Sequence, residues 1–294
     1  MRRVAFDHVA IAVSRIADAL PFLIGELGGR PAGGGAAPAF LFRQWKYGRG
    51  KLEVLEPAGD EGGFLHRFLE SRGPGVHHVT FEVPRIAAAC DLAEELGFAV
   101  VGHDFSDPDW QEAFLHPKGA MSLVVQLVER GERAGGDREP RVHRPVEGDP
   151  EPGPLGIDLV GLRLGAWELE RARRLWCELL GGESRERSGE IEMRWPGSPM
   201  RLVVRRVSAG DPEGPLAVEL ACMRPALLPS GPHPVLGAVF APVDVTALEP
   251  PTADGESALG RAAGSGEGEG SAAGAEESYC LDGDALDSNG DRAR

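Results

Sequence analysis

The amino-acid sequence predicts an α+β protein whose first half is a tandem pair of βαβββ units curled into one cup-like mixed sheet with flanking helices. Three observations predict this. The segment Phe6-Asp7-His8-Val9-Ala10-Ile11-Ala12-Val13 returns as Val76-His77-His78-Val79-Thr80-Phe81-Glu82-Val83, both built on His-Val-small-x-x-Val. Each copy then runs into a helical pattern. The closing strands also match, with Leu52-Glu53-Val54-Leu55-Glu56 lying over Val125-Gln126-Leu127-Val128-Glu129. A duplication of this kind decides the architecture before any single element does.

The elements follow in order. After the opening strand, Ile16, Leu20, Leu23 and Leu27 recur at helical spacing and stop at Gly28-Gly29. Strands are expected over Ala39–Tyr47 and Lys51–Glu56. The second unit has a helix from about Ile86 to Leu96, ended by Gly97. Its strands are expected at Phe98–His103, Glu112–His116 and Ser122–Glu129. From His8 to Glu53 is 45 residues and from His78 to Gln126 is 48, so the two copies are nearly equal in length.

The first domain is expected over residues 1–130, with a Pro-, Gly- and charge-rich linker over 131–154. A degenerate second domain of the same type is expected over 155–247. It opens with Ile157–Leu164, continues with a helix over Glu168–Leu180 and has strands near Glu190–Trp195, Arg201–Val207, Pro215–Cys222 and Val235–Phe240. Residues 248–294 are Gly, Ser, Ala and acid with few apolar groups, and are expected to be a disordered acidic tail.

Charge excludes some functions. The chain carries 31 basic and 46 acidic residues, a formal −15. Such a balance repels nucleic-acid phosphates and anionic membranes, so neither is expected as a partner. From Pro251 onward there are ten acidic residues against three Arg, so the acidity is concentrated in the tail. Four separated cysteines without a C-x-x-C pair, and the lack of any apolar leader or run, make the reducing cytoplasm the expected setting. The aspartates between Asp282 and Asp291 miss the Gly and the closing Glu of a calcium loop.

Alternation along a strand turns neighbouring residues to opposite faces. Phe6, His8, Ala10 and Ala12 are expected on one face of the opening strand, with Val9, Ile11 and Val13 packed under the helix. By the same parity His78, Glu53 and Gln126 turn toward His8, while His77 faces away. Two imidazoles, a carboxylate and an amide are thereby aimed at one place inside the curved sheet. A lone strand histidine is ordinarily a hydrogen-bonded core residue. Two at equivalent repeat positions, each with a polar partner on its closing strand, argue for a shared task. A buried carboxylate needs a neutralising partner. A divalent cation supplies one, and the donor types admit Zn, Co, Ni, Mn or Fe. Arg43 and Lys118, on or beside cup strands, are candidates for binding anionic groups of a substrate.

At these residues the chain resembles the vicinal oxygen chelate (glyoxalase/bleomycin resistance/dioxygenase) superfamily, and within it the methylmalonyl-CoA epimerases. The resemblance covers about residues 4–130. It rests on the paired strand motifs, on Phe68-Leu69-Glu70-Ser71-Arg72-Gly73 with Gly75-Val76-His77-His78-Val79, and on Phe114-Leu115-His116-Pro117-Lys118. It implies His8, Glu53, His78 and Gln126 as metal ligands. It also implies proton abstraction next to the carbonyl or thioester of a small acyl substrate. The pattern departs at Gln126, where the epimerases carry Glu. An amide cannot serve as a base, which leaves Glu53 as the only base among the four and predicts impaired two-base epimerisation.

Two other readings fit the same cup: a glyoxalase I-type lyase, and a non-catalytic antibiotic-binding protein of the bleomycin-resistance type. A ring-cleaving dioxygenase fits less well, because it would need Glu near position 126. In the second half, alignment of the opening strands puts Leu159 at the place of His8, Val203 at that of Glu53 and Ala217 near that of His78. That half is therefore expected to be metal-free, and to cover the cup, to dimerise or to recognise something else. A homodimer is left open as the assembly. Trp167, Trp176 and Trp195 are expected in its core or at an interface.

Overall fold

The computed structural model describes residues 3–131, 150, 156–222 and 228–244. Nearly all of the expected linker and the whole tail beyond 247 lie outside the described residues. The first unit runs β1 (Ala5–Ala12), α1 (Ile16–Leu20, continuing as a wider helical turn Pro21–Glu26), β2 (Arg30–Ala37), β3 (Phe40–Tyr47) and β4 (Gly50–Pro57). A connecting helix α2 (Phe64–Arg72) leads to the second unit: β5 (Gly75–Glu82), α3 (Ile86–Glu95), β6 (Val100–Asp107), β7 (Trp110–Leu115) and β8 (Val124–Arg130).

These eight strands form one mixed sheet in the order β2-β3-β4-β1-β5-β8-β7-β6. Each unit closes by pairing its last strand parallel to its first, β4 on β1 and β8 on β5. The two units join antiparallel through β1 and β5. The matched closing strands have a second use. Glu56 accepts the backbone N–H of Ile16 at 2.7 Å, and Glu129 accepts that of Ile86 at 2.7 Å. Each unit thus caps its own helix from its closing strand, satisfying an orphan donor where the helix dipole is positive. Gly97, at φ 83°, ends α3 in a conformation that other residues rarely adopt.

Strand parity holds except at two bulges. Phe6 pairs with Phe81 and His8 with Thr80, so Asp7 is an extra residue on β1. Phe6 is thereby turned to the face opposite His8, against the expectation from simple alternation. It stacks on Phe81 at 4.8 Å and meets Trp195 edge-on at 5.9 Å. On β5, Ala10 pairs with His78 and Ile11 with Val76, so His77 is the extra residue. It sits beside Phe64 and Phe68 of α2, on the same side as His78 rather than away from it.

The helix-covered face holds Val9, Ile11, Leu52, Val54, Val79, Phe81, Val125 and Leu127 against α1 and α3. The other face is the cup, floored by Ala10, Ala12 and Leu55 and closed at one end by Phe64 and Leu65 of α2.

The second half builds a six-stranded sheet, β10-β11-β12-β9-β13-β14. Its elements are β9 (Ile157–Ala166), α4 (Leu169–Arg173, continuing through Arg174–Leu179), β10 (Glu183–Arg187), β11 (Glu190–Arg194), β12 (Arg201–Arg206), β13 (Gly214–Cys222) and β14 (Phe240–Val243). The last strand lies later than the expected Val235–Phe240, because Pro234, Val235 and Leu236 form a turn. β9 again pairs parallel with β12 and antiparallel with β13, the βαβββ pattern of the first half. Trp176 and Trp195 are buried in a core continuous with that of the first half, whereas Trp167 is exposed. Trp195 packs on Phe6 and Phe81, and Ser198 donates to the Phe6 carbonyl at 2.8 Å. At these contacts the second half meets the face opposite His8.

Candidate metal centre

The cup brings together His8 (β1), Glu53 (β4) and His78 (β5), whose ligand-type atoms lie within 4.8 Å of one another. Glu53 Oε1 is 3.5 Å from His8 Nε2 and 3.6 Å from His78 Nε2. Two ligands each about 2.1 Å from a tetrahedral cation stand about 3.4 Å apart, so these separations match a shared coordination sphere. Gln126 (β8) stands one hydroxyl further on. Thr80 donates to Gln126 Oε1 at 2.6 Å, and its oxygen lies 2.9 Å from His8 Nε2. All four predicted residues are at most 9% exposed.

Proton placement follows from the hydrogen bonds. Asp7, set beside His8 by the bulge, accepts from His8 Nδ1 at 2.7 Å and is itself held by Lys51 at 2.7 Å. Because the Thr80 proton goes to Gln126, His8 Nε2 donates to the Thr80 oxygen. His8 therefore carries two protons here. Burial disfavours that charge, but Glu53 and Asp7 together outweigh it and raise the His8 pKa. Burial likewise pushes Glu53 up. His8, His78 and the Gln44 N–H at 2.6 Å from its Oε2 reverse this and hold it down at about 2.

His78 is different. Its Nε2 is buried with no hydrogen-bond partner, while its Nδ1 lies 3.0 Å from His77 Nδ1. Burial, reinforced by His77, keeps His78 well below the usual imidazole range. If His78 gives its Nδ1 proton to His77, the orphaned Nε2 carries a lone pair aimed at Glu53. With a cation in place of the His8 Nε2 proton, that donor set of two imidazole nitrogens and an ionised carboxylate fits a divalent metal.

Several contributors escaped sequence reasoning. Asp7 and His77 are placed by bulges, which alternation does not anticipate. Gln44 and Glu112 also face the cup, while Thr80 stands on the face that the parity of His78 gives it. Glu112 Oε2 accepts from Gln126 Nε2 at 2.8 Å and from Trp110 Nε1 at 3.1 Å. The two predicted substrate cations are not brought to the centre. Arg43 pairs in register with Val54, on the helix-covered face. Lys118 is exposed in the turn after β7, its backbone N–H donating to His116.

The second sheet supplies an internal control. Its ladder places Gly161, not Leu159, at the position of His8, because Val160 is the bulged residue corresponding to Asp7. Val203 and Ala217 take the places of Glu53 and His78, and Ala241 that of Gln126. An ion-pair network is built there instead. Fully buried Glu219 accepts from Arg201 Nε at 2.8 Å and from Arg163 at 3.0 Å, and Arg201 also reaches Glu192 at 2.7 Å.

Residues 7–114 match the model of the glyoxalase/bleomycin resistance protein/dioxygenase superfamily. The chain is 37% identical over 81 residues to an ethylmalonyl-CoA/methylmalonyl-CoA epimerase of Cereibacter sphaeroides, a match covering 26% of this chain and 60% of the relative. A human mitochondrial methylmalonyl-CoA epimerase is 27% identical over 136 residues, covering 41% of this chain and 71% of the relative. The paired sheets share their fold with a 4-hydroxymandelate synthase variant from Streptomyces coelicolor. That match has a TM-score of 0.51 and 14% identity, over 75% of this chain and 71% of that one. Among the described residues no helix is long and apolar enough to cross a membrane.

Proposed function

We propose that the superfamily domain, residues 1–130, holds one divalent cation (Zn, Co, Ni, Mn or Fe) between His8, Glu53 and His78, with the Gln126 carbonyl oxygen as a further ligand. It uses that site to abstract a proton next to the carbonyl or thioester of a small acyl substrate, as an epimerase does. Residues 155–247 form the degenerate partner domain, which among its described residues has no ligand set of its own.

The observation that carries this reading is the orphaned His78 Nε2 beside an ionised, buried Glu53. An unsatisfied buried nitrogen costs about 1–3 kcal/mol, and a cation would relieve that cost. When bound, a divalent cation supplies positive charge that stabilises negative charge developing on a substrate carbonyl oxygen. The protein's own groups do the rest. Asp7 fixes the His8 ring, and Gln44 holds Glu53 Oε2 so that Oε1 faces the imidazoles. Glu53 is the base, and the apolar floor of Ala10, Ala12 and Leu55 limits water. Lys118 is the cation offered to an acidic substrate end. Arg43, on the far face, has no part.

Deuterium exchange tests the reading. The metal-loaded chain is expected to exchange the proton at the 2-position of methylmalonyl-CoA in D₂O. Absence of exchange with metal bound removes the proton-abstraction reading and favours a lyase or a non-catalytic binder.

A further inference from the structure

The two walls of the cup each carry one glutamine–glutamate pair, in opposite order. On the first wall the carboxylate is on the inner strand and the amide outside it: Gln44 (β3) donates to Glu53 (β4) at 2.6 Å. On the second wall the amide is inner and the carboxylate outer: Gln126 (β8) donates to Glu112 (β7) at 2.8 Å. Along the curved sheet, β1 and β5 with their two imidazoles separate the pairs. Glu53 and Glu112 therefore stand on opposing walls, either side of His8 and His78.

Inverting a carbon centre requires one group to take a proton from one face and another to return a proton to the opposite face. Gln126 cannot do the second task. We infer that Glu112, one strand further out, supplies the second proton-transfer group, held at the cup by the Gln126 amide and the Trp110 indole. Phe114, the residue paired with Gln126, and Ala113, which faces the other way, leave Glu112 as the carboxylate that β7 contributes to this face.

This inference rests on the proton-abstraction reading above. The C–H bond next to the carbonyl breaks, its proton goes to the Glu53 carboxylate, and its electron pair moves onto the carbonyl oxygen as an enolate. The enolate carbon then takes a proton from the Glu112 carboxyl on its other face. Glu53 is left protonated and Glu112 ionised, and exchange with water resets both. In the reverse direction the roles exchange.

The test gives (2R)- and (2S)-methylmalonyl-CoA separately, in D₂O, to the full metal-loaded chain and to Glu112→Gln, with metal content measured for both. The unchanged chain is expected to exchange and invert both enantiomers. Glu112→Gln is expected to keep its metal and to exchange one enantiomer, the one whose proton faces Glu53. It should lose inversion, and exchange of the other enantiomer, by about 10²–10⁴-fold. Inversion at the unchanged rate overturns the inference. Equal loss of exchange for both enantiomers, or loss of metal, also overturns it, since Glu112 would then be part of the frame. If the unchanged chain exchanges neither enantiomer, the proton-abstraction reading fails and this inference falls with it.

Discussion

His77 and His78 face each other Nδ1 to Nδ1 across 3.0 Å inside a buried bulge, so a single proton lies between two imidazoles. If it sits on His78, the His78 Nε2 lone pair is free for a ligand. His77 would then set the tautomer of a ligand without touching the cation. Partners of this kind typically change metal affinity by about 10–100-fold. His77→Phe keeps an aromatic ring against Phe64 and Phe68. It is expected to fold and to bind divalent metal about 10–100-fold more weakly in a chelator competition. Unchanged affinity would show that His77 only packs.

The same residue gives a pH signature. Burial, partly opposed by Glu53 and helped by Arg72, lowers His77 from 6.5 to about 4. A histidine held neutral in the fold stabilises fully above its unfolded pKa, and that stability drains away as pH falls from 6.5 to about 4. The steepest slope for one proton is about 1.4 kcal/mol per pH unit. Urea unfolding of the metal-free protein should therefore lose more stability between pH 7 and 4.5 in the unchanged chain than in His77→Phe. Equal losses would remove His77 as the source.

How much of this could be read from the chain alone depended on what repeats. The duplicated strands, the helices under them and the convergence of His8, Glu53 and His78 all follow from period and parity, because one buried face fixes register. The bulges do not follow, since one extra residue leaves the apolar pattern intact while reversing a side chain. Phe6, His77 and the Leu159-for-Gly161 error all come from them. β2, Arg30–Ala37, went unread because three consecutive glycines carry no strand signal. α2 went unread because all of it beyond Phe64 and Leu65 is exposed or half-buried.

The exchanged amide and carboxylate predict non-additive substitutions. Gln126→Glu alone removes the N–H that donates to Glu112 at 2.8 Å. It should cost about 0.5–1.5 kcal/mol, the net worth of one hydrogen bond. Adding Glu112→Gln restores a donor and an acceptor in reversed order, and the double variant should recover most of that loss in thermal melts. Additive losses would mean that the pair is not coupled.

Stability and chemistry should separate in the second half. Glu219→Gln removes the fully buried charge that Arg201 and Arg163 share. Breaking such a pair typically costs about 3–5 kcal/mol. The melting temperature should fall while metal bound per folded chain stays the same. A parallel loss of metal would tie the second sheet to the centre.

The most direct test is elemental analysis of the purified full chain after equilibration with divalent cations and removal of the excess. The account predicts about one ion per chain, and loss of that ion in His78→Ala. A chain that holds no divalent ion, or a His78→Ala variant that keeps it, would contradict the placement of a cation between His8, Glu53 and His78.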